Sequence, residues 1–199
     1  MTPETQELDL QERLNLIESM IAEGRRSTGS WGWTFVLWGV AYYVAIAWAT
    51  LGHSNLAWPV TMVAAFILTA ILASRLGRNQ PGRTVSRALS AVWIALGISM
   101  FVLLLPLGIS GRADLHTCVA IVGAMLGMAN ATSSIILKWK MQFACAIVWW
   151  ASAVAACFSS DTQTSIAFLA AIFFCQIVFG IYGMVSEARE NKLRGATHA

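Results

Sequence analysis

The sequence predicts an all-α integral membrane protein, with six transmembrane helices in three helical hairpins preceded by a cytoplasmic amphipathic helix. Three observations predict it. Of the 199 residues 57% are apolar and only 12% charged, about half the charge density of a soluble domain. The apolar residues fall into six stretches, about 32–51, 56–74, 88–109, 115–137, 141–158 and 164–186. Each is near the ~20 residues that carry a helix across ~30 Å of hydrocarbon. None of these stretches contains Asp, Glu, Lys or Arg, so all 23 formal charges lie in the N-terminal segment, the connections or the tail. A charge at mid-bilayer costs about 2.5–3.5 kcal/mol on insertion scales, and this segregation avoids that cost. The composition excludes disorder. The net charge of +3 follows from membrane topology and gives no reason to expect nucleic acid as a partner.

Residues 1–30 read as the cytoplasmic helix and a short linker. Thr2-Pro3-Glu4 supplies an N-cap, a proline at the first helical position and an acid in the first turn. Leu10, Leu14, Ile17 and Ile21 then recur on one helical stripe, which predicts a helix to about Arg26. Ser27-Thr28-Gly29-Ser30 breaks it before the membrane. Up to Arg26 the segment holds six acids and three arginines. Helices that lie on a membrane surface usually carry Lys and Arg on the polar face, and anionic lipid would repel this one. The stripe therefore points to packing against protein: its own bundle, a second copy of the chain or a cytoplasmic partner. The same composition is wrong for a secretory signal.

Residues 31–187 form the predicted transmembrane domain, and 188–199 a cytoplasmic helical tail. Twelve basic residues fall on one side: Arg13, Arg25, Arg26, Arg75, Arg78, Arg83, Arg87, Lys138, Lys140, Arg189, Lys192 and Arg194. Arg112 alone falls on the other. The positive-inside rule then places both termini in the cytoplasm. The outer connections are Gly52–Asn55, Ser110–Asp114 and Ser159–Gln163; the inner connection Arg75–Arg87 carries the turn signal Asn79-Gln80-Pro81-Gly82. Trp31, Trp33, Trp58 and Trp139 stand at span ends, where indoles favour the headgroup level. Trp38, Trp93, Trp149 and Trp150 lie deeper and are expected between helices. In the tail, Glu190 and Arg194 are an i,i+4 pair and Gly195 is the expected C-cap.

Few residues offer chemistry. Gly123, Gly127 and Ala131 recur at four-residue spacing in span four, a pattern that lets membrane helices approach closely. Asn130 and Gln176 are the strongly polar side chains assigned to span interiors, with Tyr42 and Ser99 at comparable depth. A buried amide in lipid needs partners, so these four read as interhelical glue or as the lining of a small-solute path. No carboxylate lies inside a span and the one His, His116, stands at the outer edge of span four, which disfavours proton coupling. His53, Asp114, His116 and Asp161 gather near the outer connections, and such side chains can ligate metals. Their spacing is that of ordinary polar loops, and no cofactor or metal is expected. Cys118, Cys145, Cys157 and Cys175 have no metal-finger spacing. They read as small buried residues, with a Cys118–Cys157 disulfide as the other option. There is no GxSxG, HExxH or P-loop, so an enzyme is not expected.

Leu14-Asn-Leu-Ile-Glu-Ser-Met-Ile, Arg25-Arg26 and Leu37-Trp38-Gly39 together resemble the start of a group of small six-span bacterial inner-membrane proteins. The resemblance covers about residues 14–39 and the overall plan. It implies a bacterial cytoplasmic-membrane location and brings no activity. The expected function is a non-enzymatic membrane module that self-assembles or binds a partner through Leu10, Leu14, Ile17 and Ile21. The alternative is a channel or facilitator for a small neutral or weakly polar solute.

Overall fold

A computed structural model describes residues 11–15, 19, 32–52, 56–76 and 84–197. The elements of the membrane region are α1 (Gly32–Gly52), α2 (Ala57–Leu76), α3 (Thr84–Ile109), α4 (Leu115–Leu137) and α5 (Lys140–Phe158). A sixth span follows, made of α6 (Asp161–Ile172), a π-helical segment (Phe173–Val178) and α7 (Phe179–Thr197). Among the described residues there is no strand. Among the described residues six helices are long and apolar enough to cross a membrane, because each carries an apolar run whose backbone groups are satisfied internally.

Local chemistry sets the helix ends. The Asp114 carboxylate accepts the Thr117 N–H at 3.2 Å and starts α4. At the other end Lys138 adopts φ 50°, ψ 41°. Its N–H reaches the Ile135 carbonyl and the Trp139 N–H reaches Ser134, a Schellman stop that turns the chain into α5. Ser160 and Gln163 form a reciprocal capping box, so helix begins at Asp161 and the expected outer connection shrinks to Ser159–Ser160. The tail helix runs through Gly195 to Thr197, past the expected cap. The turn signal at 79–82 lies outside the described residues, as do the side chains of Glu190 and Arg194.

Small residues decide which helices touch. A Cβ on Gly123 would stand 2.8 Å from the Trp149 carbonyl and 3.0 Å from Ala153 Cβ, so α4 and α5 nearly meet backbone to backbone. Gly127 lies under the Trp150 indole. A second close crossing joins α1 to the sixth span. A Cβ on Gly32 would stand 2.6 Å from the Gly180 carbonyl, and one on Gly180 would stand 2.7 Å from that of Gly32. Gly39, of the Leu-Trp-Gly motif, packs on Gln176 and Ile177. One turn further, the Tyr43 hydroxyl donates to the Leu169 carbonyl at 2.9 Å.

The result is an inner set of α1, α4, α5 and the sixth span, with α2 lying on α1 and α3 on α4. In the most apolar stretch of α4 56% of residues are buried, against 17% in α2 and 11% in α3. The outer helices present side chains such as Phe66, Ile94 and Val102 outward, as lipid-facing helices do. Trp150 is likewise part-exposed, whereas the sequence suggested a position between helices. Trp58 and Trp139, read as belt residues, pack inward on Tyr42 and Phe179.

Candidate functional site

At the end of the bundle opposite Lys138 and Lys140, His116 holds three helices together. Its Nδ1 lies 2.6 Å from the Ala156 carbonyl near the end of α5, and its Nε2 lies 2.7 Å from Asp161 Oδ1 at the start of α6. Thr164 Oγ1 stands 3.4 Å from the same Nδ1. Each ring nitrogen faces an acceptor, so the ring can donate to both when it is protonated. Asp114, beside this group, accepts from the Thr117 hydroxyl and N–H, which hold its carboxyl below the usual range. That contribution is present at neutral pH and is lost as the pH falls through the lowered value. His53 lies outside the described residues. Among those described, no three His, Cys, Asp or Glu side chains gather to hold a metal. His116 and Asp161 engage each other at 2.7 Å, an ion pair when the imidazole is protonated.

The clasp also sets depth. From that end, Asn130 and Gln176 each stand about 15 residues along α4 and the sixth span, and Gln142 about 16 residues back along α5. At 1.5 Å per residue, each lies ~22–24 Å in, at one level below mid-span towards the basic end. All three are buried: Asn130 1%, Gln142 0% and Gln176 3% exposed. Asn130 Nδ2 donates to the Leu126 carbonyl at 2.8 Å. Asn130 Oδ1, Gln176 Oε1 and both polar atoms of Gln142 have no protein partner. Packing links the elements at this level: the Cys175 thiol, next to Gln176, donates to the Cys145 carbonyl at 3.6 Å.

Aromatic rings close this layer on both sides. Towards the basic end, Phe35 meets Trp93 and Phe179 edge to face, and Trp139 tilts on Phe179. The Trp93 indole also donates to Ser133 Oγ at 3.2 Å. Towards the clasp, Phe168 packs against both Trp149 and Tyr42, and Tyr42 against Trp58.

The predicted polar residues therefore separate. Asn130 and Gln176 share one level. Tyr42 is buried, but its ring belongs to the aromatic group. Ser99 is exposed on α3, because α3 meets its neighbours along another face. Gly123 and Gly127 take part in the α4–α5 contact, and Ala131 is buried beside them. All four cysteines are free thiols. Cys157 is exposed and donates to its own helix at Ala153, so the Cys118–Cys157 disulfide is not formed.

Gln142 was not legible in the sequence because it stands two residues after Lys140, where a polar side chain looks interfacial. The signal was its spacing. Gln142, Cys145, Trp149 and Ser152 recur on one helical face, and all four are buried. Two surface grooves open elsewhere. One of about 540 Å³ lies beside His116, Ala156 and Cys157; the other, about 600 Å³, runs along Val40, Ala41, Ala64 and Ala65 between α1 and α2. Neither is lined by the three amides.

The fold and these interior groups define a multi-pass membrane protein. No protein family, curated protein or solved structure matches the chain.

Proposed function

We propose that the protein is a non-enzymatic module of the bacterial inner membrane that works by association. Its N-terminal helix provides the docking surface, and both termini lie in the cytoplasm. The observation that carries the reading is the exposure of the described part of that segment. Residues 11–15 are helical and all exposed, with Leu14 at 54%. An apolar stripe folded back on its own bundle would bury Leu14. Leu10, Ile17 and Ile21 lie outside the described residues, and their helical spacing with Leu14 supports one continuous stripe. The acidic surroundings favour protein over anionic lipid, and the twelve-to-one distribution of basic residues supports the orientation.

The test is crosslinking in native membranes followed by mass spectrometry. It compares the full chain with a chain lacking residues 1–26 and with Leu10, Leu14, Ile17 and Ile21 all changed to Ser. A homo-oligomer or partner lost in both altered chains, with the bundle still folded, supports the proposal. Assembly unchanged in both removes it.

A further inference from the structure

We propose that Asn130, Gln142 and Gln176 form an occluded site for a small uncharged hydrogen-bonding molecule, water or a solute of a few heavy atoms. The argument starts from what lipid permits. A buried amide without a partner costs about 1–3 kcal/mol in proteins, and no bulk water reaches the membrane interior to relieve it. Here three amides from three different spans lie at one depth, with four polar atoms unpartnered by protein. Gln142 alone contributes an orphaned donor and an orphaned acceptor. Seven buried polar side-chain atoms lack a protein partner among the described residues, and four of the seven belong to these three amides at one depth.

The shell also selects. Asn130 Oδ1, Gln142 Oε1 and Gln176 Oε1 accept hydrogen bonds and Gln142 Nε2 donates one, so the occupant must both donate and accept. The nearest charge is Lys140, two residues before Gln142 on α5, and it is exposed; no Asp, Glu, Arg or His lies at this level on α4, α5 or the sixth span. A cation would therefore have no counter-charge in a low-dielectric site. The Phe35, Trp93, Trp139 and Phe179 rings on one side and Trp149, Phe168 and Tyr42 on the other enclose the layer. Burial of all three amides to 3% exposure or less limits the occupant to a few heavy atoms. This site is independent of the N-terminal helix and stands or falls without it.

The experiment uses the full chain in lipid nanodiscs, with side-chain amides labelled for NMR. In unaltered protein, cross-relaxation between water and the amides of Gln142 and Asn130 is expected. If formamide at millimolar concentration replaces that signal and raises the thermal midpoint, the site takes a solute; if it does neither while the water signal persists, the site holds water. Contacts of the amides with each other and none to water or formamide would overturn the proposal. Asn130→Leu, Gln142→Met and Gln176→Met provide the second arm. Each is expected to lower the midpoint by about 3 °C or more, and pairs to lose less than the sum of the singles, because they share an occupant. Neutral or raised midpoints in all three would overturn it as well, since dry orphaned amides are improved by apolar replacement.

Discussion

Lys138 shows how a single dihedral angle can be weighed. It is the one non-glycine residue with positive φ among those described, and it closes α4 where glycine is the usual choice. The left-handed conformation costs a side chain about 1 kcal/mol. The lysine charge at a helix C-terminus offsets part of that. Lys138→Ala keeps the strain and loses the charge, whereas Lys138→Gly loses both. Glycine should therefore be the more stable of the two variants by about 1 kcal/mol, measured by unfolding in mixed micelles. Equal stabilities would mean that α4 ends some other way. At this scale the sequence was only partly legible. Asn130 and Gln176 stood out because amides are rare in apolar runs. Gln142 did not, since Lys140 beside it made the span appear to begin there, and burial depends on which helix covers that turn.

At the scale of elements, close approach is specific to position. The Gly123 contact is with backbone, the Trp149 carbonyl, which cannot rotate away. The Gly127 contact is with the Trp150 ring, which is part-exposed and can swing outwards. Gly97 has nothing within 4 Å. Gly123→Ala should then destabilise by about 1–3 kcal/mol through overpacking. Gly127→Ala should cost less, and Gly97→Ala should stabilise by up to about 1 kcal/mol from helix propensity. The three can be ranked in one unfolding series, and a reversed order would show that α4 and α5 do not meet here. The span-four glycines were visible in the sequence as a four-residue repeat. The Gly32–Gly180 crossing was not, because its two halves lie on spans far apart in sequence. The π turn was equally hidden: Phe173–Val178 carries no Pro or Gly to mark it. It shifts the register of the sixth span just where Gln176 meets Gly39.

For the whole molecule, the charge pattern and the packing can be set against each other. The six spans were legible because lipid excludes charge from each of them separately, whatever its neighbours. Which spans form the centre was not, since α2 and α3 are as apolar as the helices they flank. Orientation rests on the basic residues, and Cys157 offers an independent check. Its thiol is exposed at the clasp end, while Cys145 and Cys175 are buried. In a chain with Cys157 as its only cysteine, a membrane-impermeant maleimide added to intact spheroplasts should label it. In a cysteine-free background, Lys140→Cys should be labelled only after the membrane is opened. The reverse pattern would turn the molecule over. It would then place the N-terminal stripe outside the cell, where no cytoplasmic partner could reach it, so the labelling tests the proposed function as well as the topology.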